Sequence, residues 1–234
     1  MTRFAYAPQI ARMFPSLVTA LAVFEGPAAA AHIAPTVARL ERQARDRLAW
    51  GSEAEIPAIR AWRAAFAAMG LKPTQYRCAA EALLRRLRKT GALPRVSALV
   101  DLGNAVSAAY AVPVASFDLD RISGALTVGP ATGRESYLTF GGEIEHPAPG
   151  EIIFADGAAT AHARRWTNRQ SATSAVSPHT RRALVVIEAL HPGAEVDVTD
   201  ALEAVTGTVA QPGTTLRSAL LSGGRGGFDT GRAA

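Results

Sequence analysis

The stretch that decides the fold runs from Leu99 to Asp120 and reads LVDLGNAVSAAYAVPVASFDLD. Its first part predicts a helix from Ser97 to Tyr110, in which Asp101 and Asn104 lie three residues apart and share one side. Its second part is a strand that ends in a turn rich in carboxylates. Acceptor-rich side chains suit caps and polar pockets better than helix or strand interiors. The polar side chains of the helix and those of the turn together predict one polar pocket built on rigid elements.

The residues on either side of this stretch predict helices first and strands afterwards. Apolar residues recur every three or four positions before Val112, and short runs separated by glycine turns follow it. The pattern predicts an α+β fold with mixed sheets and packed helices. The predicted strands of the N-terminal part are Phe4 to Tyr6 and Leu17 to Phe24, and the predicted helices are about Pro35 to Trp50, Pro57 to Met69, Cys78 to Thr90 and, near the end, Thr199 to Val205.

The chain is predicted to form a single domain over residues 1–210. This domain is helix-rich over residues 33–110 and strand-rich over residues 111–191. Residues 211–234 are predicted to be a flexible tail, because the segment Ser222 to Gly227 is dominated by glycine.

Composition limits the classes of protein to which this chain can belong. It has 234 residues, 48% of them hydrophobic and 19% charged, which is typical of a globular protein. The net charge of +5 favours polyanionic partners such as RNA, although arginine supplies nearly all of it, as a GC-rich genome also would. A single cysteine, and histidines without metal-ligand spacing, predict no disulfide, metal or cofactor. No apolar run has the length of a membrane span, and Glu25 directly follows the apolar N-terminal stretch, so we expect a cytoplasmic protein without a membrane partner.

The segment from Leu99 to Val128 resembles the editing module of the bacterial-type phenylalanyl-tRNA synthetase beta chain, its third and fourth domains. The resemblance continues more weakly to about His191. A second resemblance, to freestanding versions of this module, is carried by Trp62 to Arg86 and by Trp166 to Ser171. The matching residues of the first are Val100, Asp101, Asn104, Val106, Pro113, Phe117, Asp118, Asp120, Arg121, Ile122 and Gly124.

The resemblance implies a set of pocket residues. Asn104 matches an asparagine of the family's editing pocket, and Glu188 matches a glutamate that reads the amino-acid side chain. Gly103 takes the place of a threonine and Ala115 the place of a histidine, so two of the four pocket positions are altered. With Asp118 of the carboxylate-rich turn, these residues form the predicted substrate-binding set. Loss of the histidine side chain and of the hydroxyl predicts a larger pocket with fewer polar contacts, and therefore a preferred amino acid other than tyrosine.

Hydrolysis of an aminoacyl ester needs a positioned water and support for the developing oxyanion, because the ester is already reactive. Asn104 and Arg169 are the candidates for these catalytic roles. The alternatives are structural: Asn104 as a bracket between helix and turn, Arg169 as the partner of Asp118 or Asp120, and Glu188 as a member of an ion pair. His162 could replace the missing pocket histidine, or it could be a half-exposed strand residue.

The third predicted helix is the most basic element of the chain. Its side chains are either a surface that contacts RNA phosphates or an ordinary solvated helix face. The resemblance implies that the chain hydrolyses misacylated tRNA in trans. The alternatives are a non-catalytic RNA-binding module of the same fold and an amino-acid-binding protein. The candidate RNA-binding residues are Arg77, Arg85, Arg86, Arg88 and Lys89.

Overall fold

The computed structural model describes residues 3–26 and 30–231. In this part of the chain two β-sheets pack face to face with helices behind one of them, and there is a separate two-stranded sheet. The helices are α1 (Pro8–Met13), α2 (Ala30–Ala49), α3 (Pro57–Ala68), α4 (Ala79–Thr90), α5 (Ala98–Tyr110) and α6 (Ala194–Val209). The strands are β1 (Arg3–Tyr6), β2 (Val18–Glu25), β3 (Val114–Asp118), β4 (Leu126–Pro130), β5 (Tyr137–Leu138), β6 (Ile144–Glu145), β7 (Ile152–Ala155), β8 (Ala161–Arg164), β9 (Arg169–Gln170), β10 (Arg182–Ala189), β11 (Thr215–Ser222) and β12 (Gly227–Asp229).

The larger sheet has six strands in the order β12-β1-β4-β7-β8-β9, and the smaller has four in the order β11-β2-β10-β3. In the larger sheet β1 runs parallel to β4, while its other neighbouring strands are antiparallel. The four-stranded sheet is antiparallel throughout. The predicted α+β class with mixed sheets is therefore confirmed.

Strand β10 lies in the middle of the four-stranded sheet, and both of its faces are buried. Because successive side chains of a strand point to opposite faces, Leu184, Val186 and Glu188 share one face. This face meets the six-stranded sheet, where Phe117 of β3 packs on Phe154 of β7 at a centroid distance of 5.3 Å. Helices α5 and α6 pack against the other face.

Proline and glycine set several of the helix ends that the sequence predicts. Helix α3 begins at Pro57, and the capping box of Ser52 and Glu55 belongs to a separate 3₁₀ turn immediately before it. Helix α4 ends at Gly91, whose φ of 75° suits a residue without a β-carbon. The predicted start of the last helix at Thr199 is wrong. Helix α6 begins five residues earlier because Gly193, with a φ of 90°, turns the chain into the helix.

The prediction of a flexible tail after residue 210 is wrong for the described residues. Strand β11 pairs with β2 from Thr215 to Ser222, and β12 pairs with β1. Without these strands, the backbone groups along the outer edges of β1 and β2 would lack partners, so pairing satisfies them despite the glycine-rich composition. Residues 232–234 lie outside the described part of the chain.

Three further observations concern chemistry. Within the described ranges, no helix combines the length and the apolar character that a membrane crossing requires. The same residues contain no group of three or more histidine, cysteine, aspartate or glutamate side chains arranged to hold a metal ion. Burial raises the pKa of the Cys78 thiol to about 12, so this cysteine stays protonated and is a poor nucleophile.

A cavity and a groove on either side of strand β3

A buried carboxylate, Glu188 of β10, lies at the centre of the candidate site. Its side chain is 1% exposed, and its Oε1 accepts hydrogen bonds from the Tyr6 hydroxyl at 2.6 Å and from the Trp166 indole at 2.8 Å. Its Oε2 receives no hydrogen bond from a described residue. Burial raises the pKa of Glu188 to about 7, even though both hydrogen bonds lower it. Both the protonated and the ionised forms of Glu188 are therefore accessible near neutral pH.

Tyr6 contacts the Glu188 carboxylate from strand β1 of the opposite sheet. The Tyr6 hydroxyl lies 2.7 Å from Thr19 Oγ1 on β2 and donates to Glu188. Burial and the nearby Glu188 charge raise the pKa of Tyr6 well above its ordinary value. Tyr6 therefore stays protonated at neutral pH and remains a hydrogen-bond donor there.

Trp166 reaches Glu188 from the tight turn between β8 and β9. Arg165 and Trp166 have φ angles of 45° and 56°, in the left-handed region that costs a non-glycine residue about 1–2 kcal/mol. The Trp166 backbone N–H donates to Ile152 at 2.6 Å, and its ring packs edge-on against Phe14 and Trp62. Burial of the indole offsets the unfavourable backbone and fixes the donor that faces Glu188.

A small cavity opens beside Glu188, with a volume of about 70 Å³. Ala115 and Ala163 line it with methyl groups, and Arg169 and Thr167 add polar atoms. The Thr167 hydroxyl is buried without a hydrogen-bond partner among the described residues. Because one water-sized probe occupies roughly 10–15 Å³, the cavity has room for a small chemical group of a few heavy atoms.

A second space, a groove of about 420 Å³, lies between helix α5 and strand β3. Gly103 and Asn104 line it from the helix, and Val114 and Ser116 from the strand. A β-carbon at Gly103 would lie 3.6 Å from both Ser116 Oγ and Val114 Cγ1, so the glycine leaves room that a larger residue would fill. The Asn104 amide is partly exposed and makes no hydrogen bond to a described residue, so it is free to meet a ligand.

The side chains of strand β3 alternate between its two faces, and this alternation divides the predicted pocket into a cavity and a groove. β3 is an edge strand, with Ala115 on the face of Glu188 and Ser116 on the face of helix α5. The Gln170 amide donates to the Ser116 carbonyl at 2.6 Å and lines both spaces, as does Val114. The structure therefore brings Glu188, Ala115 and Arg169 together in the cavity, and Asn104 and Gly103 together in the neighbouring groove.

Asp118, which the sequence places in the substrate-binding set, lines neither space. Its carboxylate accepts hydrogen bonds from the Thr180 hydroxyl at 2.8 Å and from the Asp120 backbone at 3.1 Å, as expected of a turn cap. Because both oxygens are used inside the loop, Asp118 holds the end of β3 in place.

Arg169 does not pair with Asp118 or Asp120, so that structural alternative is wrong. Its guanidinium lies 3.1 Å from Glu145 and over the ring of Tyr137 at 5.4 Å. Asp120 pairs with Arg182 instead, at 3.0 Å. The hairpin of β5 and β6 thus holds Arg169 at the rim of the cavity.

His162 is completely buried, so the expectation of a half-exposed residue is wrong. Its Nδ1 lies 2.8 Å from Ser174 Oγ and its Nε2 lies 3.2 Å from Asp156. Burial lowers the pKa of His162 although Asp156 raises it, so the ring is neutral. Ser174 is also completely buried, and neither residue lines the cavity or the groove. This serine–histidine–aspartate group is therefore part of the core and does not replace the pocket histidine.

Helix α4 carries four of the five predicted RNA-binding side chains, Arg77 lies two residues before it, and acidic neighbours engage three of the five. Arg85 and Arg88 approach Glu53 at 3.6 and 2.8 Å, and Arg77 approaches Glu81 at 3.4 Å. Arg86 and Lys89 are exposed and form no ion pair with a described residue. The helix is basic on its exposed side, but only part of its charge is uncompensated.

Sequence reasoning missed two residues that shape the site. Tyr6 lies 182 positions before Glu188, and nothing in its surroundings marks it as a partner of a buried carboxylate. Gln170 lies within the recognised segment Trp166 to Ser171, but its place between cavity and groove follows from the fold. Trp166 was recognised in that segment, whereas its hydrogen bond to Glu188 was not foreseen.

Comparison with known proteins identifies the class. Residues 61–202, more than half of the chain, match the model of the B3/4 domain, and the chain belongs to this family. The N-terminal fragment of the phenylalanyl-tRNA synthetase beta subunit from Pyrococcus horikoshii is structurally similar, with a TM-score of 0.51 at 11% sequence identity. The match covers 92% of this chain and 50% of that one, so the chain spans half the length of that structure. No curated protein sequence is significantly similar. The predicted resemblance to the synthetase beta-subunit module is confirmed at the level of the fold.

Proposed function

We propose that this protein hydrolyses the ester bond of misacylated tRNA in trans. The observation that carries the proposal is a small cavity that ends in a buried carboxylate, next to a mainly apolar groove that presents Asn104, Ser116 and Gln170, within a B3/4 fold. A cavity of about 70 Å³ suits the tip of an amino-acid side chain. The larger groove, at about 420 Å³, has room for the ester and the terminal ribose.

Glu188 is proposed to select the amino acid. With a pKa of about 7, its free Oε2 can accept a hydrogen bond when ionised or donate one when protonated. A substrate without a polar group at this position would leave a buried polar atom unpaired, which costs about 1–3 kcal/mol. The cavity of about 70 Å³ is small, not enlarged as the altered positions predict, and its size favours a preferred amino acid smaller than tyrosine.

Asn104 is proposed to orient the attacking water or the ester carbonyl, because its amide is free and can both donate and accept. Attack of water on the carbonyl carbon would break the bond to the ribose oxygen and release the free amino acid. Arg169 is proposed to meet the RNA end at the rim, and Arg86 and Lys89 to contact backbone phosphates.

A panel of misacylated tRNAs, incubated with the purified protein, tests the proposal. Asn104→Ala should slow hydrolysis of every substrate that is cleaved, by about 1–3 kcal/mol of transition-state stabilisation. Glu188→Ala should change the order of preference among substrates. Asp200→Ala, on the exposed side of α6, is the matched control and should match the parent rate. If no tRNA of the panel is cleaved, hydrolysis is refuted. If the parent cleaves and both site variants equal the control, the roles proposed for Asn104 and Glu188 are refuted.

A further inference from the structure

Trp50 is an exposed tryptophan at the end of helix α2. Its side chain is 92% exposed, whereas the other two tryptophans, Trp62 and Trp166, are completely buried. An indole of this size is usually covered in the folded protein, and its full area is available here for a partner.

Trp50 borders an open groove of about 500 Å³ between the end of α2 and the start of α3. Asp46 and Glu55 line the same groove with carboxylates, and Arg47 adds one cation. Carboxylates repel phosphate groups and accept hydrogen bonds from the exocyclic amino groups of bases. The groove is therefore suited to a base edge and unsuited to a phosphate.

The neighbouring end of helix α4 provides the opposite charge. Arg88 donates to the carbonyl of Gly51, the residue after Trp50, at 2.5 Å. Arg85 and Arg88 share a single acidic partner, Glu53, and Lys89 follows them on the same helix. Arg85, Arg88 and Lys89 outnumber Glu53, so this end of α4 is basic, and Arg88 joins it to the chain at Gly51 beside the acidic groove. Flat aromatic rings flanked by arginine and lysine are a common arrangement for binding single-stranded RNA.

We propose that the Trp50 groove binds an unpaired nucleobase of an RNA by stacking on the indole. The base enters the groove and presents its exocyclic amino group to Asp46, and the flanking phosphates lie on Arg85, Arg88 and Lys89. The choice of RNA as the ligand rests on the function proposed above, and the surface is separate from the Glu188 cavity and the Asn104 groove.

Titration with short unpaired RNA tests the inference through intrinsic fluorescence. Because Trp62 and Trp166 are buried, quenching by a ten-nucleotide oligocytidylate reports on Trp50. An abasic sugar–phosphate chain of equal length carries the same charge without bases, so it should bind more weakly and quench little. Replacing Trp50 by leucine should weaken binding of the labelled oligocytidylate about 5- to 150-fold, the loss expected for one stacked base. Trp50→Phe, which keeps an aromatic face, should retain most of the affinity.

Four results would overturn the inference. The first is equal affinity for the abasic chain and the oligocytidylate, and the second is equal affinity of the Leu and Phe variants. The third is a concentration-dependent change in Trp50 fluorescence with dimer formation in the absence of RNA, which would assign the groove to a second copy of the chain. The fourth is equal binding of oligocytidylate and oligouridylate by the parent protein, since uracil lacks the amino group from which Asp46 would accept a hydrogen bond. The probes carry no aminoacyl ester, so failed hydrolysis of misacylated tRNA leaves this test unaffected.

Discussion

Replacing Glu188 by glutamine should change how the stability of the protein depends on pH. The amide keeps the size of the side chain, and its oxygen can still accept from Tyr6 and Trp166. It cannot ionise. Burial raises the pKa of Glu188 in the folded protein to about 7, above its ordinary value of 4.5. The fold therefore favours the protonated form, and the stability of the parent protein falls as pH rises from about 4.5 towards 7.

The size of the effect follows from the two pKa values. A difference of about 2.5 units corresponds to about 3 kcal/mol at 1.36 kcal/mol per unit, and most of it develops between pH 5 and pH 8. The free energy of unfolding of the parent protein should therefore fall by about 2–3 kcal/mol relative to Glu188→Gln over this range. Urea denaturation of both proteins at half-unit pH steps measures the difference.

Glu135→Gln is the matched control, since Glu135 is also a buried glutamate. Burial raises its pKa, but hydrogen bonds from Thr132 and Gly133 outweigh burial and lower it overall. Its contribution to stability is therefore present above about pH 4.5 and is lost only in acid. From pH 5 to pH 8 this variant should run parallel to the parent. Parallel curves for the parent and Glu188→Gln would contradict the argument, because they would mean that Glu188 has the same pKa in the folded and unfolded chains.

Two further predictions concern the backbone and the C-terminal strands. Ala159 is exposed and has a φ of 57°, so Ala159→Gly should raise the free energy of unfolding by about 1 kcal/mol, whereas the same change at the neighbouring Ala158 should not. Thermal unfolding of both variants checks this, and an equal response at the two positions would contradict it. A chain ending at Ala210 should lose cooperative urea unfolding because it lacks β11 and β12. A chain lacking only the last three residues should unfold like the parent. If the chain ending at Ala210 unfolds cooperatively at the parent's urea midpoint, β11 and β12 do not contribute to the stability of the fold.

The sequence predicts helices α3, α4 and α5 and the central strands well because their signals are local, whereas α2 begins at Ala30, five residues before the predicted Pro35. The apolar spacing from Ile59 to Phe66, with Pro57 in front, determines helix α3 without reference to the rest of the chain. Strands β11 and β12 were missed because their pairing depends on edges formed some 200 residues earlier. Glycine-rich composition therefore does not predict a flexible segment where an unpaired sheet edge is available for pairing.

The members of the candidate site were recognisable through family resemblance, but their arrangement was not. Which face of β3 carries Ala115 and which carries Ser116 depends on the register with β10, and a shift of one residue would exchange them. The hydrogen bond from Tyr6 to Glu188 joins two sheets, so no local sequence pattern predicts it.

The position of Glu188 between the two sheets also constrains how the protein can evolve. The same carboxylate faces the cavity and accepts hydrogen bonds from Tyr6 and Trp166, so a change of side chain there alters the cavity wall and the sheet packing at once. Gly103 and Ala115 border open space and carry no such tie. Single substitutions at these two positions can therefore reshape the groove or the cavity without disturbing the sheet packing, whereas a change at Glu188 requires a compensating change in a partner on the opposite sheet.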